Sequence, residues 1–374
     1  MLLQAPLALA APAPVLRRGA STNAKVACSK RRVIKASSDA VNATLSASAN
    51  ATDPAISVNG VVNVTISSGS GSGTALSRMD IIKDMYAFAG FVYALDNCPS
   101  QSKMTSDFKE MKSKGARTVI TFDICGDGKT ASYYEQAIAA AGDAGMYIIP
   151  LAWTLFDDGQ SFTSTSIPRM QAVTSAVIKN PDPVLAIAYG DEPLYDNDAG
   201  SPATLAKAIK QMKAQLTDAG LDIPVSISDM AYGWRSAGSA ADIAPMVAIV
   251  DFFMINNFPF FAQDATTGGA PGAWTSFAND MKYFQSIAKG KPLMVTQTGW
   301  STSRVEFAPN SPDIDLSYAS QYGYWHLLDS HCASYFKEEG ISWMWRSWDD
   351  DIVGWGVLDA NGKPKFDIQA KTTC

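Results

Sequence analysis

The chain has 374 residues, 47% of them hydrophobic, and a net charge of −6; it can bury a large core, and its length suits one barrel-sized domain behind a leader better than two equal domains. Residues 1–38 hold seven basic side chains and no acidic one, which leaves 23 basic against 36 acidic residues and a net charge of −13 beyond them. Such a body repels phosphate backbones, and with no basic stripe interleaved with aromatics, nucleic acid is not an expected partner.

In chain order, residues 1–38 form a leader. Its Ser/Ala/Arg-rich, acid-free composition fits an organelle transit peptide, whereas Met1 to Ala11 is a weak, Pro-interrupted secretory stretch. Asn42, Asn50 and Asn63 each open an Asn-x-Thr sequon, and Arg17-Arg18 and Lys30-Arg31-Arg32 resemble processing sites. These features favour a secreted glycoprotein, with organelle targeting as the alternative. Residues 39–79 are poor in aromatics and end in Ser67-Ser-Gly-Ser-Gly-Ser-Gly73; that composition cannot bury enough apolar surface to order itself, so a disordered, flexible linker is predicted, with the folded domain over 80–374. No apolar run is long enough for a membrane span, and a monomer is the default expectation.

Beyond the linker, short apolar runs alternate with helical patterns. Strands are predicted at Ala87 to Val92, Thr118 to Phe122, Met146 to Leu151, Val184 to Tyr189, Val225 to Ser228, Phe252 to Ile255, Leu293 to Thr296 and Ile341 to Trp345. Helices are predicted at Ser102 to Lys114, Tyr133 to Ala144, Met170 to Lys179, Ala203 to Ala219, Trp274 to Ala288 and Tyr318 to Phe336. Eight buried strands with helical crossovers imply an α/β fold of the (β/α)8 TIM barrel type. The rival, a doubly wound sheet, lacks a Gly-x-Gly-x-x-Gly after the first strand. If Cys28 leaves with the leader, Cys98, Cys125, Cys332 and Cys374 remain, enough for two disulfides in any of three pairings. His326 and His331 are too few for a zinc site or a triad and read as ordinary helix-surface or core residues.

In a barrel, the C-terminal ends of the strands face the active side. Strand four ends in Ile187-Ala-Tyr-Gly-Asp-Glu-Pro-Leu-Tyr195, which places Glu192 just past the wall among apolar neighbours; partial desolvation there favours the protonated form that a general acid needs. Tyr93, Phe258, Phe260, Trp300 and Trp348 lie at or beyond strand ends, where flat rings could stack on sugar faces. For Trp153 and Tyr189, core packing is at least as good a reading. Asp349-Asp-Asp351 reads as a solvated turn or a cation site, but adjacent aspartates alone do not specify a metal, and neither metal nor cofactor is expected.

Several segments in register resemble glycoside hydrolase family 17, the β-1,3-glucanases. Asp191-Glu192 is similar to the family's Asn-Glu pair, and Val250-Asp-Phe-Phe-Met-Ile-Asn-Asn-Phe-Pro-Phe-Phe261 to its strand-six signature. Gln297-Thr-Gly-Trp300 resembles the nucleophile motif Glu-Thr-Gly-Trp, Trp348-Asp-Asp350 a Phe-Asp-Glu after strand eight, and Trp355 to Lys365 the closing Trp-Gly segment. The resemblance implies a β-1,3-glucan substrate, Glu192 as acid/base, residue 297 facing the anomeric carbon, and a cleft drawing on Asp191, Asn256, Asp349, Asp350 and the rings above. The chain departs from this pattern where Gln297 replaces the nucleophilic carboxylate and Asp191 replaces Asn. Strand two also offers Val119 and Thr121 in place of an expected Arg and Tyr. Asp191, Asp349, Asp350 or Asp351 could replace the missing group, as nucleophile or by activating water, or Gln297 could deamidate. The alternative is a pseudo-glycosidase that holds glucan without turnover.

Overall fold

The computed structural model describes residues 76–374; the predicted leader and nearly all of the linker lie outside them. Helix α1 (Arg78–Asp84) starts where the Ser77 hydroxyl accepts the Asp80 N–H. Eight parallel strands follow: β1 (Ala87–Ala94), β2 (Thr118–Phe122), β3 (Tyr147–Ile149 and, after Pro150, Leu151–Ala152), β4 (Ile187–Asp191), β5 (Val225–Met230), β6 (Phe253–Asn256), β7 (Leu293–Thr298) and β8 (Ser342–Trp345). β1 lies between β2 and β8; the first segment of β3 pairs with β2 and the second with β4, so the ring closes through Pro150. Proline has no N–H to donate, which is why the ladder breaks there. The result is the predicted (β/α)8 barrel.

Between the strands run α2 (Gln101–Ser113), α3 (Ala131–Ala144), α4 (Ile167–Lys179), α5 (Pro202–Asp218), α6 (Ala231–Ser236), α7 (Ala240–Ile249), α8 (Pro271–Ala288) and α9 (Tyr318–Ser330). Serine caps recur: Ser100, Ser201, Ser239 and Ser317 each accept a first-turn backbone N–H. Gly145 closes α3 in the left-handed region, where a side chain would be strained. The predicted last helix is shortened at Ser330, and residues Cys332–Lys337 continue as a wider turn. Helices α1, α6 and α7 are not among the predicted elements, and α1 begins inside the predicted linker.

Two apolar layers follow from strand alternation. Ala89, Val92, Ile120, Phe122, Ile149, Ala188, Met254, Met294 and Met344 fill the barrel, whose floor is closed by Ile82 and Met85 beside α1. The larger layer, between barrel and helices, includes Phe88, Phe91, Val119, Tyr189, Ile255, Trp325 and Trp343. Two disulfides form: Cys98–Cys125 ties the loops after β1 and β2, and Cys332–Cys374 ties the end of α9 to the last residue. No helix among the described residues is long and apolar enough to cross a membrane.

Candidate active site

At the C-terminal mouth of the barrel, β4 through β8 bring seven polar side chains together, Asp191, Glu192, Ser228, Asn256, Thr296, Gln297 and Arg346. Strict alternation would turn Asp191 and Gln297 outward, because Ala188 and Met294 point in and Tyr189 and Val295 point out. Each strand instead shifts register at the site, β4 between Ala188 and Asp191 and β7 between Val295 and Thr298. Such irregularities re-aim a side chain. Glu192 adopts φ +54, a left-handed conformation uncommon outside glycine, and its N–H donates to the Ser228 carbonyl at 2.7 Å. The glycine of Thr-Gly-Trp has a local reason: a Cβ at Gly299 would stand 2.6 Å from the Arg346 carbonyl oxygen.

The hydrogen bonds fix which way the amides face. Arg346 Nη1 donates to Gln297 Oε1 at 2.5 Å; a guanidinium only donates, so Gln297 Nε2 must face away from it, and it donates to Asp191 Oδ1 at 2.5 Å. On β6, Asn256 Oδ1 accepts from Ser228 Oγ at 2.7 Å, while Asn256 Nδ2 donates to Asp191 Oδ1 at 3.0 Å and to Glu192 Oε1 at 3.1 Å. Ser228 also meets Thr296 Oγ1 at 2.9 Å. All of these groups are buried. The Arg346 guanidinium lies 3.9 Å from the centre of the Phe122 ring, with Phe307 and Phe258 farther off at 5.7 and 6.0 Å. Trp153 meets Phe122 edge to face at 4.9 Å, so partly exposed rings border the mouth.

Further buried carboxylates lie at or beyond the ends of other strands. Burial, with Asp96 nearby, pushes Asp123 at the end of β2 up to about 6, against the opposing pull of the Ile124 N–H and Arg346. Burial and then Asp351 raise Asp349 to about 7. Asp229 lies wholly buried on the outer side of β5 and is pushed well above the usual carboxylate range by desolvation and by Glu192. It accepts the N–H groups of Leu194, Met230 and Tyr195, which fixes the turn that carries Glu192.

The structure brings Glu192, Gln297, Asp191 and Asn256 together and leaves Phe258 near them. The other expected cleft residues lie elsewhere. Tyr93 turns toward α2, where its hydroxyl donates to Asp107 at 2.6 Å. Phe260 and Trp300 are wholly buried against each other, and the Trp300 Nε1–H is used on the Asp315 carbonyl. Trp348 packs on Phe91 at 4.9 Å. Asp350 organises the turn after β8, accepting Gly354 N, Gly356 N and Lys365 Nζ, while Asp349 is coupled to Asp351 and to the Asp107–Lys103 pair. Val119 and Thr121 are not mouth residues: Val119 faces the helices, and the Thr121 hydroxyl accepts the Leu151 N–H. Phe122 supplies the β2 contact. No motif marks Arg346 or Ser228, although each lies two residues past an inward side chain, Met344 or Ser226. Both histidines are remote; His331 stacks on Trp274 at the helix layer. A cavity of about 310 Å³ at the opposite end, lined by Ile81, Met85, Lys112, Arg117 and Tyr147, is apart from these carboxylates.

A barrel with buried acid and amide groups at its C-terminal mouth is an architecture of enzymes that act on glycosidic bonds. Residues 89–349 match the BtgE/BtgC glycoside hydrolase domain, and the chain belongs to that family. It is 25% identical over 260 residues to the probable beta-glucosidase btgE of Aspergillus fumigatus, covering 67% of this chain and 42% of that protein. It is 26% identical over 153 residues to a probable glucan endo-1,3-beta-glucosidase, eglC, of Aspergillus niger, covering 38% of this chain and 31% of that one. The chain thus spans less than half the length of either relative. Among solved structures, the catalytic domain of a mannanase from Streptomyces sp. SirexAA-E superposes with a TM-score of 0.51 at 13% identity, over 83% of this chain and 98% of that one, a likeness of fold.

Proposed function

We infer that the protein is a β-1,3-glucan-acting glycosidase related to glycoside hydrolase family 17, with Glu192 as its acid/base. The observation that carries the reading is the placement of the Glu192 carboxyl, buried at the mouth and linked through one amide nitrogen of Asn256 to a second carboxylate, Asp191. Both oxygens lie within hydrogen-bond reach of that nitrogen, so they are at most about 6 Å apart, nearer the span of a retaining carboxyl pair than the wider gap of an inverting one. The partly exposed rings of Trp153, Phe258 and Phe307 offer apolar faces for pyranose rings, and the names of the fungal relatives point to glucan. Two disulfides fit folding in an oxidising compartment and support export.

The test is incubation of the purified chain with reduced laminaripentaose, following products over time. Hydrolysis that falls at least about a hundredfold in Glu192→Gln, with binding retained, is the expected result. One observation favours a second reading, a glucan-binding barrel without turnover: residue 297 is an amide held between Arg346 and Asp191. Binding without hydrolysis by the unmodified chain would select that reading.

A further inference from the structure

Resting on the glycosidase reading, we propose that acid and amide have exchanged places between β4 and β7, and that Asp191 is the nucleophilic carboxylate of the pair. Two amides direct their nitrogens at this one carboxylate. Gln297 Nε2 is compelled to do so by Arg346 on its oxygen, and Asn256 Nδ2 donates to the same oxygen at 3.0 Å while Asn256 Oδ1 accepts from the Ser228 hydroxyl. Of the four aspartates that could replace a missing nucleophile, only Asp191 shares this network. Asp350 is bound into the turn after β8 by Lys365 and two backbone N–H groups, Asp351 is exposed, and Asp349 lies beside it, apart from these bonds. The site therefore keeps two carboxyl groups and one guanidinium, with the second carboxyl moved by one hydrogen bond.

The chemistry balances with no co-reactant but water. An Asp191 oxygen attacks the anomeric carbon while Glu192 gives its proton to the departing glycosidic oxygen, leaving a glycosyl ester on Asp191 and a free sugar hydroxyl. Glu192, now ionised, takes a proton from water. The water oxygen displaces Asp191 from the anomeric carbon, which returns both side chains to their starting forms. Two displacements retain the anomeric configuration.

The exchange also changes what a repair at position 297 would do. In Gln297→Glu alone, a second carboxylate would sit 2.5 Å from Asp191, and the two could not both be ionised. Restoring the other arrangement takes Asp191→Asn together with Gln297→Glu.

The experiment compares the unmodified chain with D191N, Q297E and D191N/Q297E on laminaripentaose, with the first-formed anomer followed by proton NMR. It also treats the unmodified chain and the double variant with 2-deoxy-2-fluoro-β-laminaribiosyl fluoride and maps the adduct by peptide mass. The expected results are retention in the unmodified chain, a loss of at least about a thousandfold in D191N, recovery to within about tenfold in the double variant, and an adduct on Asp191 that moves to position 297 in the double variant. Turnover by the unmodified chain with D191N within tenfold of it, with inversion, or with an adduct elsewhere would overturn the exchange and leave the glycosidase reading standing. An inactive unmodified chain beside an active double variant would overturn Asp191 as nucleophile and favour the binding reading. Inactivity of all four forms would overturn both.

Discussion

Asp229 shows how a residue outside the mouth can hold the turn that carries Glu192. Its carboxyl, driven toward the neutral form by burial and by Glu192, holds the backbone of Leu194 and Tyr195 just past Glu192. Deletion of this carboxyl orphans the N–H groups that its two oxygens accept. Asp229→Ala is therefore expected to cost about 1–3 kcal/mol in urea unfolding, and Asp229→Asn, which keeps an acceptor on one side only, part of that; an Asn variant as stable as the unmodified chain would show that the second acceptor is not needed. At this scale the sequence was partly legible. Glu192, Asn256 and Gln297, named by motifs in register, do meet at the mouth. Phe260, Trp300 and Trp348 were misplaced because a flat ring at a strand end serves the barrel–helix layer as readily as the mouth, and motif membership does not say which side a ring faces. Arg346 was missed for the opposite reason: no motif flagged it, although alternation from Met344 points it inward.

At the scale of elements, the contact between β7 and β8 sets the register of the site. Gly299 lets the Arg346 carbonyl pass where a methyl group would collide, and Arg346 in turn orients Gln297. Gly299→Ala is expected to destabilise the fold by about 1–3 kcal/mol by overpacking and to reduce turnover by more than that loss explains. The paired measurement is a denaturant midpoint against kcat at a temperature where the variant remains folded. The eight strands were legible because barrel strands are apolar on both faces, and six helices because their apolar residues recur at helical spacing. Helices α6 and α7 escaped because they crowd the β5–β6 connection, one of six residues and one interrupted by Pro245. The shifts that turn Asp191 and Gln297 inward leave no sequence mark beyond Gly190, whose Cβ would meet the Thr154 hydroxyl at 2.6 Å. The disulfide pairing was open until the strands were placed.

Over the whole molecule, acidic groups converge on one end of the barrel. Asp123 at about 6 and Asp349 at about 7 hold protons in the folded state that an unfolded chain releases near pH 4. The folded state then binds more protons between those limits, so stability should fall as pH rises from about 4 to 7 and level off above it, the reverse of a salt-bridged carboxylate. Urea midpoints measured from pH 5 to 8 are expected to decline by an amount of order 1 kcal/mol or more, and the decline should shrink in Asp123→Asn/Asp349→Asn. A midpoint that rises with pH in that window would contradict the burial of these groups. The locked amide between Arg346 and Asp191 has a consequence for descent as well as for chemistry. A lineage passing from one wiring to the other by single substitutions must cross a form with two acids in contact or a form with none. Kin of this chain should therefore carry matched residues at positions 191 and 297, one acid and one amide, with mixed combinations scarce.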